Sequence, residues 1–266
     1  MCGFGRAGKL GLGDEDNQTT STLVARALFH GEAVLMVACR QKHAAAVTNG
    51  GGVFTFGHGQ DGLLGHGDFE DQHVPRRVMA KGFNDERVVM LAVGQAHMMA
   101  LSKEGHVFTW GTVDDGQLGH GDGEDQLVPR QVEPERFGGE KVVFVAAGGG
   151  HTVAVTAGGR LFTWWDGHQG QLGHGSHSDG RDHYRQKPTL VWAGAFGGSA
   201  GMMAACVENF TLVTRDLTLW ACGCGYDGQL GLSRANFETF GTRHAFERVR
   251  SGREGWRGED RGCRRW

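Results

Sequence analysis

Histidine is the residue type whose spacing in this chain comes closest to a chemical motif. His66, His120 and His174 each stand in a Leu-Gly-His-Gly segment, at equal intervals along the chain. Imidazole is the commonest metal ligand in proteins, so a regular histidine array could indicate a metal centre. Copies this far apart fall in separate repeat units, and no carboxylate accompanies all three. We therefore interpret them as turn residues and expect no metal site.

Glycine-rich loops could instead bind phosphate. Glycine makes up 47 of the 266 residues and recurs at fixed intervals between apolar stretches. A Walker-type loop requires Gly-Lys-Ser/Thr before a helix, and this combination is absent from the sequence. A dinucleotide fingerprint requires glycines that open a helix after a strand, whereas these glycines lie between predicted strands. We expect no nucleotide and no other cofactor.

Catalytic signatures do not stand out either. We find neither paired catalytic carboxylates nor a Cys–His signature. Cys222 and Cys224 are separated by a single glycine, but Cys222 occupies a strand position that holds Trp or Phe in other units. The remaining cysteines are scattered and the N-terminus does not resemble a signal peptide, so we expect reduced thiols in a cytoplasmic or nuclear protein. We predict no catalytic residues.

Charge is unevenly distributed along the chain. The total is −3, but residues 241–266 carry eight Arg against four acidic residues, which leaves −7 for the rest. This balance gives no electrostatic footprint for nucleic acid or an anionic membrane. No apolar stretch approaches the ~20 residues of a membrane helix. We expect neither partner, and we interpret residues 246–266 as a disordered Arg/Gly-rich tail, with contact to acidic partners or RNA as the alternative.

A tandem repeat must position all these side chains. A Leu-Gly pair begins at positions 10, 64, 118, 172 and 230, so the first three intervals are identical and the last is slightly longer. Its glycines include Gly65, Gly119, Gly173 and Gly231. A second landmark, at a constant distance before the pairs that begin at 64, 118 and 172, is His43, His97 and His151. Because two independent landmarks share one register, chance is a poor explanation.

The second full unit shows what each repeat forms. Apolar, β-branched and aromatic residues occur in runs at 88–93, 97–102 and 107–110, separated by Gly-containing turns. A shorter run at 128–132 contains Pro129, which suits an edge strand. Four short strands make one blade, so we predict an all-β propeller of four-stranded antiparallel blades over residues 1–245. We expect its aromatic residues at 54, 56, 108, 110, 162 and 164 to pack between blades.

The loop around each Leu-Gly pair resembles that of the regulator-of-chromosome-condensation repeat family. The family pattern is roughly Trp-Gly-x-Gly-x-x-Gly-Gln-Leu-Gly, and residues 56–65, 110–119 and 222–231 resemble it. The family's Gly-x-x-His-Thr-x-Ala-Leu element resembles residues 94–101 and 148–155. The chain departs from the pattern at Arg40, Val113 and Trp165, each of which stands in place of a glycine.

The resemblance also implies an architecture. The family's propellers usually have seven blades, whereas this chain has four full units and one half unit. We expect an open arc of about four and a half blades, with a five-bladed ring as the alternative. Terminal blades would expose apolar faces, so we expect self-association there. We expect His43, His97 and His151 to anchor strand starts through hydrogen bonds to the backbone.

The favoured function is a non-enzymatic protein–protein interaction module, because loops on a rigid propeller carry recognition. The resemblance leaves two alternatives. One is guanine-nucleotide exchange on a Ran-like small GTPase, which depends on most of the ring and on an inserted wedge that the even spacing excludes. The other is the recognition fragment of a HECT-type ubiquitin ligase. Our partner-binding candidates differ between units at equivalent loop positions: His58, Gln60, Asp61, Asp114, Asp115, His168, Gln169, Tyr226 and Asp227.

Overall fold

The fold is all-β, as predicted. The computed structural model describes residues 1–113, 116–175, 184–191, 203–207, 210–215, 218–224, 230 and 242–249. Within these ranges the regular elements are strands and short 3-10 turns, without an α-helix. The described residues accordingly provide no helix that is long and apolar enough to span a bilayer.

Each sheet consists of four consecutive antiparallel strands in chain order. The first sheet contains β1 (Val34–Cys39), β2 (His43–Thr48), β3 (Val53–Gly57) and β4 (Gln72–Arg77). The second contains β5 (Val88–Val93), β6 (His97–Ser102), β7 (Val107–Gly111) and β8 (Gln126–Gln131). The third contains β9 (Val142–Ala147), β10 (His151–Thr156), β11 (Leu161–Asp166) and β12 (Tyr184–Leu190). The fourth contains β13 (Met203–Val207), β14 (Phe210–Arg215), β15 (Thr218–Cys224) and β16 (Thr242–Arg248).

The sheets stack as blades. The first strands of consecutive sheets contact each other, β1 with β5, β5 with β9 and β9 with β13, so they form the inner side of an arc. Residues before β1 add the half unit, whose 3-10 turns at Arg6–Gly8 and Arg26–Phe29 pack on β4. The described sheets follow one another without a closed ring. β16 extends past the predicted boundary at residue 245, and residues 250–266 of the predicted tail lie outside the described ranges.

Aromatic side chains fill the space between sheets, as predicted for the third strand of each unit. Trp110 and Trp164 are fully buried. A second aromatic series, with the same spacing as the repeat, lies in the segments that link the sheets: Phe29, Phe83 and Phe137. Phe83 packs edge-on against Phe108 at 5.6 Å between ring centroids. The linking segments therefore contribute to the core rather than merely connecting blades.

The Leu-Gly glycine is required by both conformation and space. Gly65 has φ +74°, and a Cβ there would lie 2.8 Å from the indole nitrogen of Trp110 in the next sheet. Gly119 repeats this with φ +80° and a Cβ position 3.0 Å from the Trp164 nitrogen. Only glycine combines this left-handed backbone with so close an approach. Gly173 also has a positive φ, of +72°, and Gly231 lies outside the described residues.

The inner strand of the first sheet is uncovered. Val37 in β1 is 49% exposed, whereas its equivalents Leu91 and Val145 are 2% and 3% exposed. Leu91 is covered because it packs in one cluster with Ala45 and Val47 of the preceding sheet. No sheet precedes β1 among the described residues, so its apolar face stays open to solvent.

We expect Val37→Lys to change the free energy of unfolding by less than about 1 kcal/mol, because the new charge stays in water. Leu91→Lys, at the equivalent covered position, should cost more than about 3 kcal/mol, because it buries an unpaired charge. Urea unfolding at low protein concentration measures both. Equal costs would mean that the β1 face is covered in solution.

Candidate interaction face

One end of the arc carries two sets of loops, which together we call the loop face. Within the described residues of the first three sheets, it comprises the connections between the first and second strands and between the third and fourth strands. The two sets are joined directly: His58 N donates to Lys42 O at 3.1 Å, and Thr112 N to Ala96 O at 3.0 Å. The opposite end, the turn face, holds the hairpins between the second and third strands of the first three sheets and the segments that lead into these sheets, as the Lys103 N to Arg87 O bond of 2.8 Å shows.

Five partner-binding candidates lie on the loop face. The loop after β3 holds three of them, His58, Gln60 and Asp61, and the loop after β11 holds His168 and Gln169. Gln60, Asp61 and His168 are exposed, and the other two are half-buried. The remaining candidates lie outside the described residues: Asp114, Asp115, Tyr226 and Asp227. That these side chains bind a partner stays a prediction.

The candidates are held in defined conformations. Asp61 has φ +64°, and its carbonyl accepts a 3.3 Å hydrogen bond from the Thr112 hydroxyl of the next sheet. His168 Nδ1 lies 2.8 Å from a carboxylate oxygen of Asp166, and its ring contacts Tyr184 edge-on at 4.7 Å. The loops of the first and third sheets therefore present polar groups on a preorganised frame.

The repeated strand-start histidines form bonds between sheets. His97 Nε2 lies 3.0 Å from the Thr152 hydroxyl of the third sheet, and His151 Nε2 lies 2.8 Å from the Thr211 hydroxyl of the fourth. The prediction of backbone partners is therefore wrong for these nitrogens. Each threonine hydroxyl donates a hydrogen bond to the main-chain carbonyl of a turn. Its oxygen can therefore accept a hydrogen bond from the imidazole N–H.

That turn carbonyl belongs to the residue before each Leu-Gly pair. Gln117 O accepts from the Thr152 hydroxyl at 3.3 Å and from the Trp164 indole at 2.9 Å. Gln171 O likewise accepts from the Thr211 hydroxyl at 2.7 Å. One carbonyl thus pairs two buried donors of the following sheet.

His43 departs from this pattern. It is 1% exposed, and neither of its ring nitrogens has a hydrogen-bond partner. The equivalent of Thr152 is Met98, which has no hydroxyl. In addition, a Cβ at Gly94 would overlap the His97 ring, so Arg40, at the equivalent position, denies His43 the same placement.

Burial keeps the imidazoles of His43 and His97 neutral. Desolvation is the main cause that lowers the pKa of His43 to about 4, with further contributions from His58, Arg40 and Lys42. Desolvation likewise lowers the pKa of His97 to about 3, assisted by the neighbouring His151 and His43. A neutral ring suits a donor to threonine and carries no charge into the core.

The Leu-Gly-His-Gly histidines have a local role. Nε2 of His66, His120 and His174 lies 3.0 Å from a threonine of its own sheet in each case. They are thus held apart in separate blades. Among the described residues no group of three or more His, Cys, Asp or Glu side chains is arranged to hold a metal ion.

A repeated glutamate on the turn face was not singled out from the sequence. Glu32, Glu86 and Glu140 are each one repeat length apart. Glu140 accepts from the Thr156 hydroxyl at 2.5 Å and pairs with Arg160 at 3.0 Å, and Glu86 lies 2.8 Å from His106 Nδ1. The regular spacing of these glutamates, equal to the repeat length, was the feature of the sequence that could have identified them. These carboxylates link the segments that precede the sheets to the hairpins of the turn face.

This geometry defines the class of protein. It is a repeat protein built from propeller blades, in which main-chain carbonyls of the turns accept hydrogen bonds from side chains of the next blade. The family model "Regulator of chromosome condensation (RCC1) repeat" matches residues 50–101 and 104–155. The chain therefore belongs to the regulator-of-chromosome-condensation repeat family, as the loop pattern predicted.

Its relatives include proteins of different activity. The chain is 35% identical over 235 residues to the ultraviolet-B receptor UVR8 of Arabidopsis thaliana, covering 87% of this chain and 50% of the relative. It is 38% identical over 191 residues to the human E3 ubiquitin-protein ligase HERC2, covering 71% of this chain and 4% of the ligase. The chain thus spans half of the first relative and a small part of the second.

A solved structure shares the fold. The structure of Prp20p from Saccharomyces cerevisiae aligns with a TM-score of 0.78 at 24% identity, over 95% of this chain and 59% of Prp20p. At this identity the match establishes the propeller fold and not a shared activity.

We expect Thr152→Val to lower the free energy of unfolding by about 1–3 kcal/mol, because it leaves the buried His97 nitrogen without its partner. Thr189→Val is the control, since that hydroxyl bonds within its own strand, to Lys187 O at 3.0 Å. It should cost less than about 0.5 kcal/mol. Similar losses in urea unfolding for both variants would contradict the inter-sheet role of Thr152.

We expect acid to destabilise the fold between pH 6.5 and 4. The unfolded chain binds protons at histidine from about pH 6.5 downwards, whereas the folded His43 and His97 do so only near pH 4 and 3. The stabilising difference is complete above pH 6.5 and is lost as the pH falls, by about 2 kcal/mol per histidine at pH 5. Urea midpoints at pH 7.5 and pH 5 measure this loss.

The control for the acid effect is His43→Phe, which removes one buried imidazole and breaks no hydrogen bond. Its loss of stability between the two pH values should be smaller than that of the parent chain. An unchanged loss would show that His43 is protonated in the folded state.

Proposed function

We propose that this chain is a non-enzymatic protein–protein interaction module that binds its partner through the loop face. One observation carries the proposal: the repeated residues are used in structural bonds, whereas an exposed loop-face position changes from unit to unit. Gln60 and His168 occupy this position in the first and third sheets, and both are exposed. Exposed variable side chains on rigid loops are the usual means of recognition.

The diversity of relatives supports a binding module rather than one conserved reaction. A light receptor and a ubiquitin ligase share these repeats with the chain, and a fold serves different functions through different surfaces. The module is proposed to act in the cytoplasm or nucleus. Acting as the recognition part of a ubiquitin ligase remains compatible with it.

A photo-crosslinking amino acid at Gln60 tests the proposal. In cell extract it should yield crosslinked products of discrete mass, and Asp61→Ala together with His168→Ala should reduce them. The same crosslinker at Lys103, an exposed position on the turn face, is the matched control. Products of equal yield from both positions, or none from either, would contradict binding through the loop face.

Nucleotide exchange is the alternative that this experiment must separate. Binding to Gsp1p is described for Prp20p, and the relation of Prp20p to this chain is one of fold. We expect the chain to leave the release of fluorescent guanine nucleotide from Ran-like GTPases unchanged, because the even repeat spacing provides no wedge. Acceleration that rises with protein concentration would favour an exchange factor.

A further inference from the structure

A compact group of basic residues lies on the loop face beside the first sheet. We call it the basic cluster: Lys9, Arg40, Lys42 and His58. A Cβ at Gly57 would lie 2.7 Å from Lys42 O and 3.2 Å from Lys9 Cβ, which places both lysines around one glycine. Lys9 Nζ donates to Gln41 O at 3.0 Å, and the His58 amide donates to Lys42 O at 3.1 Å. The Arg40 amide donates to His43 O at 3.0 Å, beside Lys42, so the four residues lie around one end of the first sheet.

The repeat itself does not require these charges. One unit later, the equivalent positions hold Leu63, Gly94, Ala96 and Thr112. Two units later they hold Gln117, Gly148, Gly150 and Asp166. The equivalence is structural, because a Cβ at Gly111 would lie 3.3 Å from Leu63 as one at Gly57 would from Lys9. Three lysine or arginine charges and a histidine therefore stand where the next units have no charge and one negative charge.

The basic cluster is also costly for the fold. Arg40 replaces the glycine that makes room for the histidine ring in the next two sheets. The buried His43 beneath it lacks a partner for Nε2 because Met98 has no hydroxyl, and its Nδ1 is unpartnered as it is in His97. Within the cluster itself, Nδ1 of His58 is buried and unpartnered. A buried polar group left without a hydrogen bond costs about 1–3 kcal/mol. Such a cost, kept together with a local excess of positive charge, is typical of a binding site.

We propose that the basic cluster binds a short acidic segment of the protein partner, with carboxylates paired to Lys9, Arg40, Lys42 and His58. This inference rests on the proposed function and specifies the chemistry of the partner. Phe4 is 73% exposed next to the cluster, with Lys9 Nζ 5.9 Å from its ring centre, and offers an apolar contact beside the charges.

The surroundings favour a short acidic peptide over nucleic acid. Acidic residues flank the cluster along the chain at 14–16 and 68–71, and the chain outside residues 241–266 carries a charge of −7. A nucleic-acid backbone is a continuous polyanion and requires an extended basic surface. A short segment with two or three carboxylates matches the small number of positive charges in the cluster.

Fluorescence anisotropy with a labelled hexaglutamate peptide that ends in leucine tests the proposal on the full chain. The parent chain should bind it, more weakly as salt rises. Lys9→Gln with Lys42→Ala should weaken binding at least tenfold, and these are residues that the chain itself uses at the equivalent positions. Lys81→Gln with Lys103→Ala removes the same charge from the turn face and should change binding less than twofold. Urea midpoints establish that both variants remain folded.

Several results would overturn the inference. These are absence of peptide binding, equal weakening by the two double variants, or tighter binding of an oligonucleotide or inorganic phosphate than of the peptide. Self-association of the parent chain that the Lys9 and Lys42 changes abolish would assign the cluster to a second copy instead. If discrete crosslinks form from Gln60 and neither they nor peptide binding depend on the cluster, the proposed function stands and this inference fails.

Discussion

A main-chain carbonyl in the turn before each Leu-Gly pair is the acceptor on which the stacking of the sheets depends. Between the second and third sheets, Gln117 O accepts a hydrogen bond from the Trp164 indole N–H at 2.9 Å and another from the Thr152 hydroxyl at 3.3 Å. The turn presents this carbonyl because Gly119 has φ +80° and leaves space for the indole. Turn, glycine and aromatic residue are therefore mutually required, and a shift of register would leave buried polar groups unpaired.

The strands could be predicted because the sequence marks the two central strands: a histidine begins the second strand of the first three sheets, and Leu-Gly follows the third strand. Phe29, Phe83 and Phe137 have the same spacing but lie in linking segments without strand alternation, so their packing needed the structure. The unpartnered state of His43 could not be predicted, because the position that should pair with it, Met98, belongs to the next repeat unit. The sequence also did not show which loops share a face, because the hydrogen bonds that join them, such as His58 N to Lys42 O, follow from the strand pairing.

The departures from the repeat pattern have different consequences. Trp165 has φ +84° where Gly57 and Gly111 have +107° and +111°, a conformation that costs a bulky residue about 1–3 kcal/mol. Its buried ring contacts His97 edge-on at 5.5 Å, and this burial offsets the strain. Val113 is accommodated without a positive φ, and its amide still donates to the side chain of Asp125 at 2.6 Å.

The inter-sheet bonds are unequal along the arc, and this orders its local stability. Before the first sheet, Phe56 and Ala44 stand where later units have an indole N–H and a hydroxyl, so neither donor exists. Between the first and second sheets, the Trp110 indole N–H donates a hydrogen bond to Leu63 O at 3.0 Å, but the second sheet has no threonine hydroxyl to add a second one. The second boundary has both donors, and at the third a weaker thiol donor, Cys222 Sγ, replaces the indole at 3.4 Å. In a stacked repeat each unit contacts only its neighbours, so its stability depends on its own strands and on these two boundaries. The second and third sheets are thus the most firmly joined, and the basic cluster lies at the boundary with the fewest bonds, where replacing structural residues by charged ones costs the fold least.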